Sequence, residues 1–386
     1  MKKTYPLFDI YWDEEDIQRV NGVIRRGTSW AAGPEIIEFE NALKTYFGVK
    51  YALTFNSGTS AMHALMLAHG INSGEVIVPS FSFISTANAV LLAGATPVFA
   101  DIESESLGLD PMDVEGKISS NTEAIVPMHY GGRVCKNIEK LRTLADTHNL
   151  LLIEDNAESF GASLNGKLAG TFGQSAFLSF CQNKIITTGE GGAVITNDEN
   201  VYQNLILIRS HGRVEKNDVD YFHDTEIEDY IAIGYNLRMP SICAALGVSQ
   251  LKKISTIISK RREVALYYNQ ILSEIKNISI FHENSFSTPV YQLFSILLNN
   301  PTDRAPLQKF LVENGIYTKI YFAPIHQKKF YAKKFPKSKG LSVTIDISRR
   351  ILTLPFSLNF QKEDLDFIAD KIREFFKDQQ NKEEIT

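Results

Sequence analysis

One lysine, Lys184, stands between an apolar segment, Ser179-Phe180-Cys181-Gln182-Asn183, and a glycine-rich turn, Thr188-Gly189-Glu190-Gly191-Gly192. An acidic cluster, Glu154-Asp155-Asn156-Ala157-Glu158, lies one connection upstream and closes the apolar run Leu151-Leu152-Ile153. A lysine amine forms a Schiff base with an aldehyde, and a carboxylate holds a pyridine nitrogen protonated. These are two groups that pyridoxal phosphate requires, with Lys184 as covalent anchor and Asp155 as partner of the ring nitrogen. Displaced by an incoming amine, Lys184 would also shuttle the proton between Cα and C4′. Each residue has a simpler reading as well. Asp155 could cap a following helix, Lys184 could be a solvent-facing loop lysine, and the glycine turn could be an ordinary hairpin.

A phosphate needs donors, and the turn Phe55-Asn56-Ser57-Gly58-Thr59-Ser60 offers backbone amides and hydroxyls where a strand meets a helix. A helix N-terminus there adds a favourable dipole. The lysine-bearing phosphate-loop pattern is absent, so the plain alternative is a turn and N-cap. A ring cofactor also needs an aromatic cover. Phe81 and Phe83 in Pro79-Ser80-Phe81-Ser82-Phe83 share strand parity, so the sequence does not choose between them, and either could be core.

The elements that must position these groups follow from periodicity. Residues 13–26 have helical spacing with Ile17, Val20 and Ile24 on one stripe, and Gly33-Pro34 opens a second helix with Ile37, Phe39, Leu43 and Phe47. Strands are expected at 51–55, 75–78, 97–100, 124–128, 151–155, 176–179 and 193–196, with helices at 59–67 and 85–93. Such alternation favours an α/β sheet covered on both faces, with ligands beyond the carboxyl ends of its parallel strands. A helix from Leu246 to Ile271 leaves this unit. The expected division is 1–250, a large α/β domain with its N-terminal helices, and 251–386, the linking helix and a smaller α+β domain. The last helix carries Leu365, Ile368, Ile372 and Phe375, then frays from Gln379 to Thr386.

The 386 residues (43.3 kDa) carry 40 basic and 45 acidic side chains, a net charge of -5. That balance gives no support to a nucleic-acid partner. Cys135, Cys181 and Cys243 lack metal-ligand spacing and read as reduced thiols of a cytoplasmic protein, with Cys243 in the core. The opening Met-Lys-Lys-Thr-Tyr-Pro-Leu does not read as a signal peptide, and no run approaches 18 apolar residues, so no membrane span is expected.

The chain resembles the DegT/DnrJ/EryC1/StrS sugar aminotransferases along almost its entire length. The resemblance is carried, in order, by Gly33-Pro34, Asn56-Ser57-Gly58-Thr59-Ser60, Pro79-Ser80-Phe81-Ser82-Phe83 and Gly94-Ala95-Thr96-Pro97. It continues with Pro127-Met128-His129-Tyr130-Gly131, Glu154-Asp155-Asn156-Ala157-Glu158, the lysine segment and Arg209-Ser210-His211-Gly212. Gly234-Tyr235-Asn236-Leu237-Arg238 and Tyr321-Phe322-Ala323-Pro324-Ile325-His326 complete it.

The resemblance implies the type I aspartate-aminotransferase fold, a large mixed-sheet domain with a smaller C-terminal α+β domain. It implies a cofactor cycling between pyridoxal and pyridoxamine 5′-phosphate. Lys184 and Asp155 are then the catalytic pair and Phe83 the stacking aromatic. Ser57, Gly58, Thr59, Ser60 and Ser179 surround the phosphate. Glu158, where many relatives carry glutamine, lies near the phenolic oxygen and points to the perosamine-type branch. Asn236 resembles a residue that crosses to the partner subunit's phosphate, which implies a homodimer with shared active sites. The reaction implied is amino transfer from L-glutamate to C4 of a nucleotide-linked 4-keto-6-deoxyhexose. C3 amination and sugar dehydration are the alternatives; the lysine-lacking relatives are dehydratases. A noncatalytic sensory domain is a third reading, disfavoured by the retained anchor residues. Trp30, His211, Arg238, Tyr321 and His326 are substrate candidates: Trp30, Tyr321 and His326 could touch the sugar, and Arg209, His211, Arg213, Arg238 or Lys319 could meet a diphosphate.

Overall fold

The computed structural model describes residues 3–213, 229–281, 287–336, 338 and 340–383. Seven strands form the main sheet: β1 (Tyr51–Phe55), β2 (Glu75–Pro79), β3 (Thr96–Ala100), β4 (Thr122–Ile125), β5 (Leu151–Asp155), β8 (Ser175–Ser179) and β9 (Gly192–Thr196). Their order is β1-β9-β8-β5-β4-β2-β3. Only β9 runs against its neighbours; β8, β5, β4, β2 and β3 pair in parallel. Short β6 (Ser163–Leu164), β7 (Lys167–Leu168) and β11 (Ser287–Thr288) form a small side sheet. The antiparallel set β10 (Ile278–Ile280), β12 (Phe294–Leu298) and β13 (Ile351–Leu354) lies toward the C-terminus. This is the type I fold expected.

Alternate residues of each main strand feed opposite cores, as the pleat requires. Leu152 of β5 joins one apolar cluster and Ile153 the other; Ile77 and Val78 of β2 divide the same way. Parallel strands covered on both faces read as continuous apolar runs, which is why the sequence signal was clear. Helix α1 (Glu14–Arg26) departs from its expected stripe. Ile17 and Ile24 are 39% and 46% exposed, and the buried positions are Asp16 and Val23. Asp16 is there because Lys253 and Gln250 reach its carboxylate, each bonding Oδ2. Helix α2 (Pro34–Phe47) buries Phe39, Leu43 and Phe47 but leaves Ile37 exposed.

Helix α3 (Gly58–Ala68) is apolar around its circumference, with Ala61, Met62, Ala64, Leu65 and Met66 fully buried. A helix of that composition is stable only when enclosed, and the enclosure holds its N-terminus against the strand edge. The long helix expected over 246–271 is two, Ser241–Lys252 and Ile254–Leu272, broken at Lys253, whose ammonium is held by Asp13 and Asp16. Cys243, expected in the core, is only partly buried. The last helix, Lys362–Glu383, buries Leu365, Ile368, Ile372 and Phe375 as expected but extends past Gln379; residues 384–386 lie outside the described residues. Residues before α1 join the C-terminal sheet's surroundings, Tyr5 pairing with Ile316 and Phe8 with Phe356. Among the described residues no helix is long and apolar enough to cross a membrane.

Candidate active site

The carboxyl ends of β1, β2, β5 and β8 lie on one edge of the sheet, and the polar turns singled out above all gather there. β9 runs the other way, so its first residue, Gly192, meets the same edge beside Phe55 and Ser179. A Cβ on Gly192 would stand 2.6 Å from the Gly58 nitrogen, so glycine is what lets the 56–60 turn close on the sheet. The Lys184 loop is indeed the connection of an antiparallel hairpin. The hairpin reading and the chemical reading are both satisfied by one loop.

Ser57 is the N-cap of α3: its hydroxyl accepts from the Ser60 amide at 3.0 Å and donates to Ser60 Oγ at 2.9 Å. Gly58 and Thr59 follow as the first two helical residues, whose N–H groups have no intrahelical acceptor. Ser179 completes the group. A Cβ on Gly58 would lie 3.2 Å from Ser179 Oγ, so that hydroxyl borders the first turn of α3. The sequence offered N-cap and phosphate cradle as rivals. The geometry makes Ser57 the cap and leaves the amides of Gly58 and Thr59 available to an anion.

Asp155 is no N-cap; an irregular segment follows it, not a helix. Its carboxylate is buried, Oδ2 accepting from Thr86 Oγ1 at 2.9 Å and Oδ1 from the Ala157 amide at 3.2 Å. Thr86 lies near the start of helix α4 (Ser85–Leu92), and its hydroxyl is also 2.8 Å from Ser82 Oγ. Since Thr86 has one hydroxyl proton and a carboxylate only accepts, Ser82 is the donor in that pair. Behind Asp155, His129 and Glu154 are fully buried and 2.8 Å apart. His129 Nδ1 accepts from the Cys135 amide, so Nε2 carries the proton that Glu154 receives. Glu154 also takes amides from Gly170 and Gly173, at 2.7 and 2.6 Å.

Lys184 is not solvent-facing: its side chain is 14% exposed and Nζ stands 3.7 Å from Glu158 Oε1. Glu158 is itself buried and takes the Gly131 amide on Oε2 at 3.0 Å. Burial pushes the carboxyls of both Asp155 and Glu158 above their ordinary values, and the Lys184 ammonium pulls each back. Phe81 is fully buried against Tyr130, whereas Phe83 is 56% exposed with its ring beside Phe322. The structure therefore separates two phenylalanines that parity could not.

The substrate candidates scatter more widely. Tyr321 is close enough to Glu158 for that carboxylate to add to burial in raising its phenol to about 12. Lys319 is exposed, its ammonium 5.0 Å from the Tyr321 ring centre. His326 is engaged by Ser80, with Nδ1 at 2.6 Å from Oγ, and packs beside Phe99. His211 adopts a left-handed backbone (φ 62) and donates its amide to the Tyr235 carbonyl. Asn236 is exposed, its backbone bridged to Ser210, and the next carbonyl, of Leu237, accepts from the Asn56 amide. Arg238 reaches Ser210 Oγ at 3.0 Å. Trp30 is largely exposed, its carbonyl accepting from Ser241. Arg209 and Arg213 are buried in the framework, Arg209 on Glu40 and the Thr54 carbonyl, Arg213 on Ser210. Neither presents itself to a diphosphate.

Thr86, Gly131 and the His129–Glu154 pair were not legible as site residues. Thr86 meets Asp155 across 69 positions, and nothing in the helix expected over 85–93 singles out its hydroxyl.

The arrangement fits pyridoxal phosphate. An anion cradle at a helix N-terminus suits the phosphate. A buried carboxylate with two donors suits a protonated ring nitrogen. An enclosed amine suits the aldehyde, and an uncovered aromatic suits the ring. The family model of the DegT/DnrJ/EryC1/StrS aminotransferases matches residues 11–373. The GDP-perosamine synthase of Escherichia coli O157:H7 is 36% identical over 97% of this chain and 100% of that one. The UDP-4-amino-4,6-dideoxy-N-acetyl-beta-L-altrosamine transaminase of Helicobacter pylori is 32% identical, covering 94% and 96%. Among solved structures, PseC of Helicobacter pylori, an aminotransferase of pseudoaminic acid biosynthesis, superposes with a TM-score of 0.90 at 32% identity over 97% and 100% of the two chains. The chain belongs to the DegT/DnrJ/EryC1/StrS aminotransferase family and is a pyridoxal-phosphate-dependent enzyme.

Proposed function

We propose that the protein transfers the amino group of L-glutamate to C4 of a nucleotide-linked 4-keto-6-deoxyhexose. The observation that carries this reading is the enclosed Lys184 amine, 3.7 Å from Glu158 and on the same strand edge as Asp155. An amine at that place favours nitrogen transfer over deoxygenation, because it can hold the cofactor at rest and move protons during turnover. The choice of C4 is supported by the relatives, one of whose names puts an amino group at that carbon. Glu158 points the same way.

Pyridoxal phosphate, when bound, supplies an aldehyde carbon that carries nitrogen from donor to acceptor and a ring that accepts the electron pair of a broken C–H bond. Lys184 Nζ is the amine that would hold that carbon at rest and yield its place to the amine of glutamate. Once free, Nζ would be placed to accept the α-proton of glutamate and, in the second half, to deliver a proton to the sugar carbon that gains nitrogen; one water would be taken up as 2-oxoglutarate leaves and one released as the sugar carbonyl is replaced. Asp155 would keep a negative charge against the ring nitrogen, with Thr86 holding one of its oxygens. The Gly58 and Thr59 amides and the hydroxyls of Thr59, Ser60 and Ser179 would hold the phosphate, and Phe83 would cover the ring. Glu158, anchored by Gly131, would lie near the phenolic oxygen. Release of 2-oxoglutarate before sugar binds makes the kinetics ping-pong.

The reading includes a homodimer with shared sites. Asn236 is exposed beside the exposed apolar residues Tyr230, Ile231 and Ile233, a surface suited to a second copy. Mixing Lys184→Ala and Asn236→Ala subunits tests it: recovery of activity in the hybrid supports sharing, and strict additivity refutes it.

The decisive experiment incubates the enzyme with glutamate and GDP-, UDP- and dTDP-linked 4-keto-6-deoxy sugars and reads the product by NMR. Nitrogen at C4 is expected. Turnover at C3 alone overturns the position, and a deoxygenated product overturns amine transfer. Lys184→Ala should abolish the visible absorbance of bound cofactor and its borohydride trapping on the peptide containing residue 184.

A further inference from the structure

Lys184 has four side-chain torsions, so its amine is placed reproducibly only if the backbone beneath it is held. The peptide unit joining Asn183 to Lys184 is held at both ends. The Lys184 N–H donates to the Cys181 carbonyl at 2.9 Å, and the Asn183 carbonyl accepts from the side-chain amide of Gln292. Gln292 lies 109 positions away and is buried. A carbonyl only accepts, so Nε2 is the atom in that bond, and Gln292 Oε1 is left buried without a hydrogen-bond partner among the described residues.

The same segment reaches the other half of the pair. The Val290 amide donates to the Gly132 carbonyl at 2.9 Å and the Leu293 amide to Gly131 at 3.3 Å, and Gly131 in turn presents its N–H to Glu158. Arg261, buried on the helix Ile254–Leu272, grips the carbonyls of Val290, Tyr291 and Gln292 at 2.6–3.2 Å. Between them Tyr291, fully buried, is held in the left-handed region at φ 51. A large non-glycine residue there is strained, and such strain persists only where the surroundings over-determine it. The strained backbone and the unmatched oxygen thus occur in a segment that contacts the supports of both Lys184 and Glu158.

We propose that Gln292 is a positioning residue for Lys184. By holding the Asn183 carbonyl it sets where the lysine amine stands against Glu158, while residues 290–293 fix the Glu158 support. The proposal rests on Lys184 being the cofactor lysine. A displacement of about 1 Å at a reacting group costs on the order of 10²-fold in rate.

The test uses cofactor-loaded Gln292→Leu and Gln292→Glu beside wild type, with borohydride trapping and peptide mapping run on each. Trapping at a lysine other than Lys184 in wild type would refute the underlying reading, independently of Gln292. With Lys184 trapped, Gln292→Leu should retain its melting temperature to within a few degrees. Its kcat for the glutamate half-reaction should fall roughly 10- to 100-fold with KM nearly unchanged, and the pH midpoint of the visible spectrum should move. Gln292→Glu separates positioning from packing, even if the leucine variant does not fold. Its carboxylate repels the Asn183 carbonyl, whereas its protonated form donates as glutamine does. Its activity relative to wild type should therefore recover as pH falls. Wild-type kcat and spectrum in Gln292→Leu, or a pH-independent defect in Gln292→Glu, would overturn the proposal.

Discussion

Thr86→Val removes a hydroxyl from the Asp155 carboxylate while keeping the side chain's shape. The bond is 2.9 Å long and both partners are buried, so water does not replace it. A hydrogen bond to a charged group contributes about 1.5–3 kcal/mol net. Its loss raises the Asp155 pKa in the free protein, and at 1.36 kcal/mol per factor of ten it corresponds to roughly a 10- to 100-fold change in an equilibrium constant. Burial already holds this carboxyl above its ordinary 3.8, so the substitution moves it further in the same direction. The effect on cofactor affinity follows from a cycle. Above both pKa values, free and cofactor-bound enzyme contain ionised Asp155 and lose the same bond, so affinity is unchanged. Below them only the bound form requires the ionised carboxylate, and affinity falls roughly 10- to 100-fold relative to wild type. Titrations of the apoenzyme with pyridoxal phosphate across pH, with Thr86→Ser as the restoring variant, read this directly. A ratio of dissociation constants that stays constant with pH would refute the argument, since it would mean Thr86 does not govern Asp155 ionisation.

Asp155 and Glu158 also make the apoprotein's stability depend on pH. Their raised values mean that the folded state binds more protons than the unfolded one between the ordinary carboxylate range and the raised values. Each contribution is therefore present at low pH and lost as pH rises through the folded value, at up to about 1.4 kcal/mol per pH unit for one proton. His63, His69 and His326 are lowered by burial and act oppositely, so the measurable quantity is wild type minus Asp155→Asn in denaturant midpoint. That difference should turn against wild type with rising pH in the apoprotein and flatten when cofactor is bound. A flat difference without cofactor would show that Asp155 is not strained by burial. The two phenylalanines should behave differently. Phe81→Ala should cost about 3–5 kcal/mol in stability by opening a cavity, and Phe83→Ala should leave the melting temperature nearly unchanged while weakening cofactor binding. Equal thermal losses would contradict the assignment of Phe83 to the open face.

Much of this molecule is set by chemistry that acts locally. Parallel strands buried on both faces appear as unbroken apolar runs, so β1, β2, β5 and β8 were visible with their ends nearly in place. The turns that follow must be polar, and Lys184, Asp155 and the Ser57–Ser60 turn stood out because no core position tolerates them without partners. What depends on partners distant in the chain was not legible. Whether Phe81 or Phe83 is covered, whether Arg209 is a ligand or a framework cation, and where the 246–271 helix breaks were each decided by contacts far along the chain. So were the attachments of Thr86 to Asp155 and of Gln292 to the Lys184 loop. Composition and periodicity specify which groups must reach the strand edge. Only the packed tertiary structure decides which side chains hold them there, because a hydrogen bond between residues 69 or 109 positions apart leaves no periodic trace in either segment.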